Sequence, residues 1–125
     1  MYQQLTIVGY LGRDPEMRYL GSGTGVTSFS VATSRSYTSN DQKAEETTWF
    51  KVSVWGKAAE ACNKYLHKGS PVLVVGRLKP DVNGNPSTFQ RKDGTTGSSF
   101  EVTADSVKFL PSGGEGAEQP DDMPF

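Results

Sequence analysis

The sequence predicts an all-β domain carrying a single helix, and three observations lead there. Apolar residues alternate with polar ones over several short runs, Gly (14) and Pro (7) punctuate those runs, and one stretch alone changes to helical spacing. A chain of 125 residues has room for one domain that can bury a core without staples.

The elements follow in order. Gln4 to Leu11 is a strand, with Leu5, Ile7 and Leu11 on one side and Thr6, Val8 and Tyr10 on the other. Gly12-Arg13-Asp14-Pro15 breaks it, and Gly21 to Gly25 marks a second loop. That glycine run is no phosphate cradle, because no helix pattern follows it and no Gly-Lys-Ser/Thr closes it. Val26 to Arg35 is the next strand, Phe29 and Val31 facing the core. Ser36 to Glu45 is polar and without period, and reads as a mobile loop. Thr47 to Trp55 is the clearest strand of all. From Lys57 to His67 the period changes: Ala58, Ala61, Cys62, Tyr65 and Leu66 trace one helix face, and Gly69 supplies the stop. Val72 to Leu78 is a β-branched strand. Residues 79 to 98 carry turn signals at Asn83-Gly84 and Asp93-Gly94; so long a structureless loop is uncommon, which favours a protruding hairpin arm. In the last strand, Ser99 to Leu110, the apolar phase slips between Ala104 and Val107, the mark of a bulge. A helix between the third and fourth of five strands is the element order of the OB-fold, a five-stranded barrel.

After Leu110 the composition shifts. Residues 111 to 120 bury nothing and are expected to be a disordered linker, leaving 1 to 110 as the domain and 121 to 125 as an acidic tip. The net charge of −1 conceals this division: all 13 cations and 10 of the 14 acids precede residue 111, so the body carries +3 and the tail −4. A mildly basic body suits a nucleic-acid partner, although a merely solvated tail on a neutral domain fits the charges as well. The first residues, Met1-Tyr2-Gln3-Gln4, lack the features of a signal peptide, and no apolar run reaches the roughly 18 residues of a membrane span. With one cysteine, Cys62, no internal disulfide is available. A cytoplasmic location is expected.

Catalysis has little to work with. The single His, His67, stands at a helix end where its charge suits the helix dipole, and Cys62 belongs to the apolar face of that helix. No His/Cys cluster has metal spacing, and Glu45-Glu46 lies at a loop edge as solvated charge. No enzyme, metal or cofactor is expected.

The informative run is Thr47 to Trp55. Phe50, Val52 and Val54 make one face, ordinary barrel core, while Trp49, Lys51, Ser53 and Trp55 make the other. Two tryptophans separated by a cation are a poor core face, since buried Lys needs a partner. As a surface they offer flat rings for bases and a charge for phosphate; packing of one Trp into a subunit interface is the plainer alternative. Arg35 and Tyr37, at the end of the second strand, and Phe89 and Arg91, in the 79–98 arm, repeat the pairing of ring and cation.

These residues resemble the bacterial-type single-stranded-DNA-binding proteins (SSB). Ile7 to Tyr19 resembles that family's opening signature, Thr48 to Lys57 and Tyr65 to Ser70 its central ones, and Asp121-Asp122-Met123-Pro124-Phe125 its acidic tip. The resemblance implies an OB-fold assembled as a homotetramer. It also implies binding of single-stranded DNA without sequence preference, and recruitment of replication and repair proteins through the tip. By position it makes Tyr37, Trp49, Trp55 and Phe89 stacking residues, with Phe50 flanking them. Tyr37 and Phe89 stand where Trp is familiar in the family, Trp55 where Phe is, and Phe50 where His is; each keeps or adds a ring. Residues 80 to 87 look inserted, and the linker is short. Two other readings remain open: a primosomal-type OB-fold adaptor, which lacks such a tip, and an OB-fold RNA or oligosaccharide binder.

Overall fold

Alternation of buried and exposed side chains places the strands of the computed structural model, which describes residues 1–111. The expected linker and the tip, Asp121 to Phe125, lie outside the described residues (Pro111 excepted). Seven strands and one helix follow one another: β1 (Leu5–Leu11), β2 (Glu16–Tyr19), β3 (Gly25–Ser39), β4 (Gln42–Trp55), α1 (Lys57–Tyr65), β5 (Pro71–Leu78), β6 (Ser87–Gln90) and β7 (Thr96–Phe109).

Five of these close a barrel. β1 pairs antiparallel with β5 and, through Tyr10 and Leu11, with β3; β3 pairs with β4, and β5 with β7. The parallel pairing of Phe50–Ser53 in β4 with Phe100–Thr103 in β7 completes the ring. With the helix between the third and fourth barrel strands, this is the OB-fold the element order predicts. Ile7, Leu11, Phe29, Val31, Val52, Val54, Val72, Val74 and Val102 fill it. The bulge stands where the phase slip puts it: Val75 pairs with Ser106 but Gly76 with Ala104, leaving Asp105 over. Only glycine fits at position 76, since a Cβ there would run into the Thr103 carbonyl.

Three points of the sequence reading are corrected. Residues 36–45 are not a mobile loop: β3 and β4 stay in register from Arg35↔Glu46 out to Ser39↔Gln42, and Arg35 and Tyr37 sit along this arm rather than at a strand end. The two-residue turn uses Asn40 and Asp41 at φ 52 and 64, a left-handed pair that such residues tolerate. Both faces of the arm meet solvent, so no apolar alternation marks it. The second miss is β2, a four-residue edge strand paired with Val26 to Ser28 and Gly25, too short to show a period. Third, α1 ends at Tyr65 rather than His67, and it is Ala59, with Cys62, that it buries, while Ala58 and Tyr65 are exposed. The helix approaches the barrel through its small residues, and the buried hydroxyl of Thr27 donates to the Ala59 carbonyl at 2.6 Å. In β7, Phe100 stands two residues before the buried Val102 yet is 54% exposed, at the barrel's rim. The 79–98 arm is a hairpin in its outer half, β6 pairing with the start of β7. Among the described residues no helix is long and apolar enough to cross a membrane.

Candidate nucleic-acid interface

The outer face of β4 is fixed by what lies behind it. Val52 and Val54 are buried, so the pleat turns Trp49, Lys51, Ser53 and Trp55 outward. Trp49 is 53% and Trp55 43% exposed, and six residues of strand hold them about 20 Å apart. Across β3 their neighbours are the short side chains Ala32, Ser30 and Ser28, with Val26 opposite Trp55, so the rings and the lysine stand clear of the sheet.

Trp49 is seated by a glycine. A Cβ on Gly12 would come within 2.6 Å of Trp49 Cη2, so the indole lies directly over that backbone. Gly12, Arg13, Ser30 and Trp49 line one hollow, and a second, of about 290 Å³, is lined by Arg13, Asp14, Ser30 and Lys51 among others. Arg13 thus joins Lys51 beside the indole. Sequence reasoning gave Arg13 no role, and the signal was only its place next to the chain-breaking Gly12.

A third hollow, about 440 Å³, brings Trp49, Phe50, Lys51 and Phe89 together with Phe100. Phe50 enters it from the inner face of the strand, half-buried, its ring 5.9 Å from that of Phe100 and tilted by 42°. Phe89, on β6, is 47% exposed, and the Arg91 guanidinium lies 5.5 Å from its centroid. Arg91 is tied down: its Nη1 donates to the Thr96 carbonyl at 3.0 Å and to Thr95 Oγ1 at 3.4 Å. The turn beyond is braced by Asp93, whose Oδ1 accepts from Thr95 Oγ1 (2.7 Å) and Thr95 N–H (2.9 Å). Those two bonds, the hydroxyl's first, lower the Asp93 pKa below its usual range.

The remaining pair sits apart on the β3–β4 arm. Arg35 lies 5.1 Å from the Tyr37 centroid but also pairs with Glu46 at 3.2 Å, whereas Lys51 has no ion pair among the described residues. Of the sequence-predicted residues, then, Trp49, Phe50, Lys51 and Phe89 converge and Arg91 supports them. Trp55 extends the same strand face, and Arg35 and Tyr37 lie on an outlying finger.

Cys62 is buried, which pushes its thiol up to about 11. No cluster of His, Cys, Asp and Glu among the described residues could hold a metal.

A closed OB barrel with exposed rings and cations on one strand face belongs to the class of OB-fold proteins with an aromatic, basic surface. The comparisons narrow the class. The model of the single-strand binding protein family matches residues 2–110, and the chain belongs to that family. It is 40% identical over 110 residues to a single-stranded DNA-binding protein of Staphylococcus aureus, covering 88% of this chain and 66% of that one. Over 108 residues it is 36% identical to the Neisseria meningitidis protein of the same name, covering 86% of this chain but only 59% of the relative's length. Among solved structures, the small single-stranded DNA-binding protein of Streptomyces coelicolor superimposes with a TM-score of 0.71 at 25% identity, over 86% of this chain and 94% of that one. The Plasmodium falciparum protein in complex with single-stranded DNA gives 0.73 at 21% identity, over 89% and 97%, a likeness of fold.

Proposed function

We propose that the chain binds and protects single-stranded DNA without sequence preference, in replication, recombination and repair, and has no catalytic activity. The observation that carries this is the outer face of β4, where two exposed indoles flank Lys51 on a strand that cannot turn over. Stacking contributes roughly 1–3 kcal/mol per base and is indifferent to which base stacks. Phe89 and Phe50 extend the platform, Lys51, Arg13 and Arg91 supply charge along it, and Arg35 with Tyr37 offers an outer contact. The names of the relatives point the same way.

The finer parts of the reading rest on sequence. A homotetramer and a cytoplasmic, nucleoid-associated location follow from the family resemblance. So does recruitment of replication and repair proteins by Asp121, Asp122, Met123, Pro124 and Phe125, in which two acids and a proline-stiffened aromatic suit an apolar slot rimmed by cations. The domain would then be residues 1–110, with 111–120 as its tether.

Trp49 and Trp55 are the only tryptophans, so binding reports itself. Oligo-dT is expected to quench the intrinsic fluorescence strongly, with oligo-U and duplex DNA competing poorly. Preferred binding of oligo-U would replace this reading with an RNA-binding one; no quenching by either would remove the β4 platform.

A further inference from the structure

The surface around Trp49 does not end at Phe50. The hollow beside Trp49 and Phe89 shares Ser99 and Phe100 with a neighbouring one, of about 320 Å³, at the open end of the barrel. Phe100 and Leu78 form its apolar floor, both exposed at the rim, and Gln3, Pro80, Asn85 and Pro86 wall it in. The far wall belongs to the segment that looks inserted beside the family pattern.

That wall is built rather than loose. Asp81 Oδ1 accepts from the backbone N–H of Asn83 and of Asn85, both at 2.9 Å, and Asp81 N–H donates to the Asn85 carbonyl at 2.8 Å. Lys79 N–H donates to the Glu101 carbonyl at 2.7 Å, and Leu78 N–H to Gln3 Oε1 at 3.1 Å. A proline on each side of the turn narrows the backbone further. An exposed ring facing a preformed wall, with a few polar groups at the edge, is the usual make-up of a small-ligand site at a barrel mouth.

We propose that Phe100 and the 80–86 turn form an additional subsite, which takes one nucleobase of a strand already stacked on β4. The inference rests on the single-strand-binding reading above. Continuity selects this occupant: the ring that floors the hollow is also the end wall of the groove holding Trp49, Phe50 and Phe89. Phe89 and Phe100 line the same hollow, so a strand stacked on the one lies beside the other. Lys79, also lining the hollow, suits the phosphate of that nucleotide, and Asn85 offers a donor and an acceptor to the base edge. The subsite would lengthen the track by one base through the segment that looks inserted beside the family pattern.

The test uses the full chain and oligo-dT carrying 5-iodouracil, with photo-crosslinks mapped by mass spectrometry. A crosslink at Phe100 is expected, besides those on β4. Phe100→Leu keeps apolar bulk but removes the π-face, so affinity for oligo-dT, followed by Trp quenching, should fall by about 5- to 150-fold, with the unfolding midpoint and oligomeric state unchanged. Asp81→Ala, which frees the turn but leaves Phe100 in place, should weaken binding in the same direction. If wild type quenches and crosslinks on β4 but never at Phe100, or folded Phe100→Leu binds as wild type does, the subsite is overturned and the platform stands. A changed oligomeric state in Phe100→Leu would mean that a second copy covers the hollow, which also overturns it. Should Phe100→Leu fail to fold, the wild-type crosslink decides alone. Absence of any quenching or crosslink would overturn both readings together.

Discussion

Gly12→Ala separates the platform from the fold that carries it. The new methyl would lie 2.6 Å from Trp49 Cη2, and ordinary contact needs about 3.5–4 Å, so the outer edge of the indole must move by about 1 Å or more. The obstacle is the far end of an exposed side chain, which can swing outward, so the backbone need not adjust. Thermal stability should change little, within the ~0.5 kcal/mol typical of surface substitutions. Binding should suffer, because the displaced indole leaves its seat over Gly12. The upper bound is the whole stacking contribution of one base, roughly 1–3 kcal/mol. Gly9→Ala is the control with the opposite signature: its methyl would strike the Ala32 carbonyl, a backbone atom of a paired strand, and should destabilise the barrel. The assay is a titration with oligo-dT followed by Trp quenching, with thermal unfolding on the same samples. Gly12→Ala binding as tightly as wild type, with an unchanged emission spectrum, would refute the claim that Trp49 works from a seat on Gly12. Loss of folding in Gly12→Ala would refute the claim that the seat is separable from the core.

Three further outcomes are expected. Affinity should fall with salt, and Lys51→Ala should make the log–log slope shallower by about 0.7, the value for one phosphate on a single strand; Arg91→Ala should also loosen the β6–β7 hairpin, since it removes the bond to the Thr96 carbonyl, visible as faster amide exchange there. Because burial raises the Cys62 pKa from 9.0 to about 11, folding favours the protonated thiol; stability from this group is intact below pH 9 and is lost between pH 9 and 11, and a thiol reagent at pH 8 should react only after denaturant is added. Phe125→Ala leaves every acidic side chain in place, so it should abolish capture of replication and repair proteins while oligo-dT affinity stays at the wild-type value; normal capture would leave the tail a solubility device.

How much of this could be read from the sequence depended on whether one face of an element is buried. β4 was legible because Val52 and Val54 repeat every second residue against outward Trp and Lys, and β1 and β5 likewise carry buried Ile7, Leu11, Val72 and Val74 at alternate positions. The outer half of the β3–β4 hairpin was not, because pairing there is held by backbone bonds with solvent on both faces, and polarity without alternation looks like a loop. The helix face is turned slightly from the expected one: Ala58 and Ala59 are indistinguishable by hydropathy, and it is Ala59 that is buried with Cys62 and Leu66, its carbonyl accepting from Thr27. On β4, the outward placement of Trp49, Lys51 and Trp55 was legible from period two alone. Arg13 was not, because the pairing of β1 with β3 brings it beside Ser30 and so to Trp49 and Lys51 of β4; Phe100 was not, because barrel closure sets β7 beside β4 across about fifty residues of chain.

That closure also explains why platform and core cannot vary independently. β4 is hydrogen-bonded on both sides, antiparallel to β3 and parallel to β7, and its register with each is set over the same residues, Phe50 to Ser53. A slip of one residue would bury Trp49, Lys51 and Trp55 and expose Val52 and Val54, so every residue that holds the core also holds the rings outward. Rigidity of this kind suits sequence-independent binding. The indole spacing is then a property of the strand and not of the ligand, and a flexible single strand supplies whatever adjustment is needed. Two paired arms extend beyond this frame: the outer β3–β4 hairpin with Arg35 and Tyr37, and the β6–β7 hairpin with Phe89. A core substitution such as Val52→Thr, which places a hydroxyl with no partner beneath the platform, should therefore lower stability and DNA affinity together, whereas changes in either arm should alter affinity with little change in the barrel's stability.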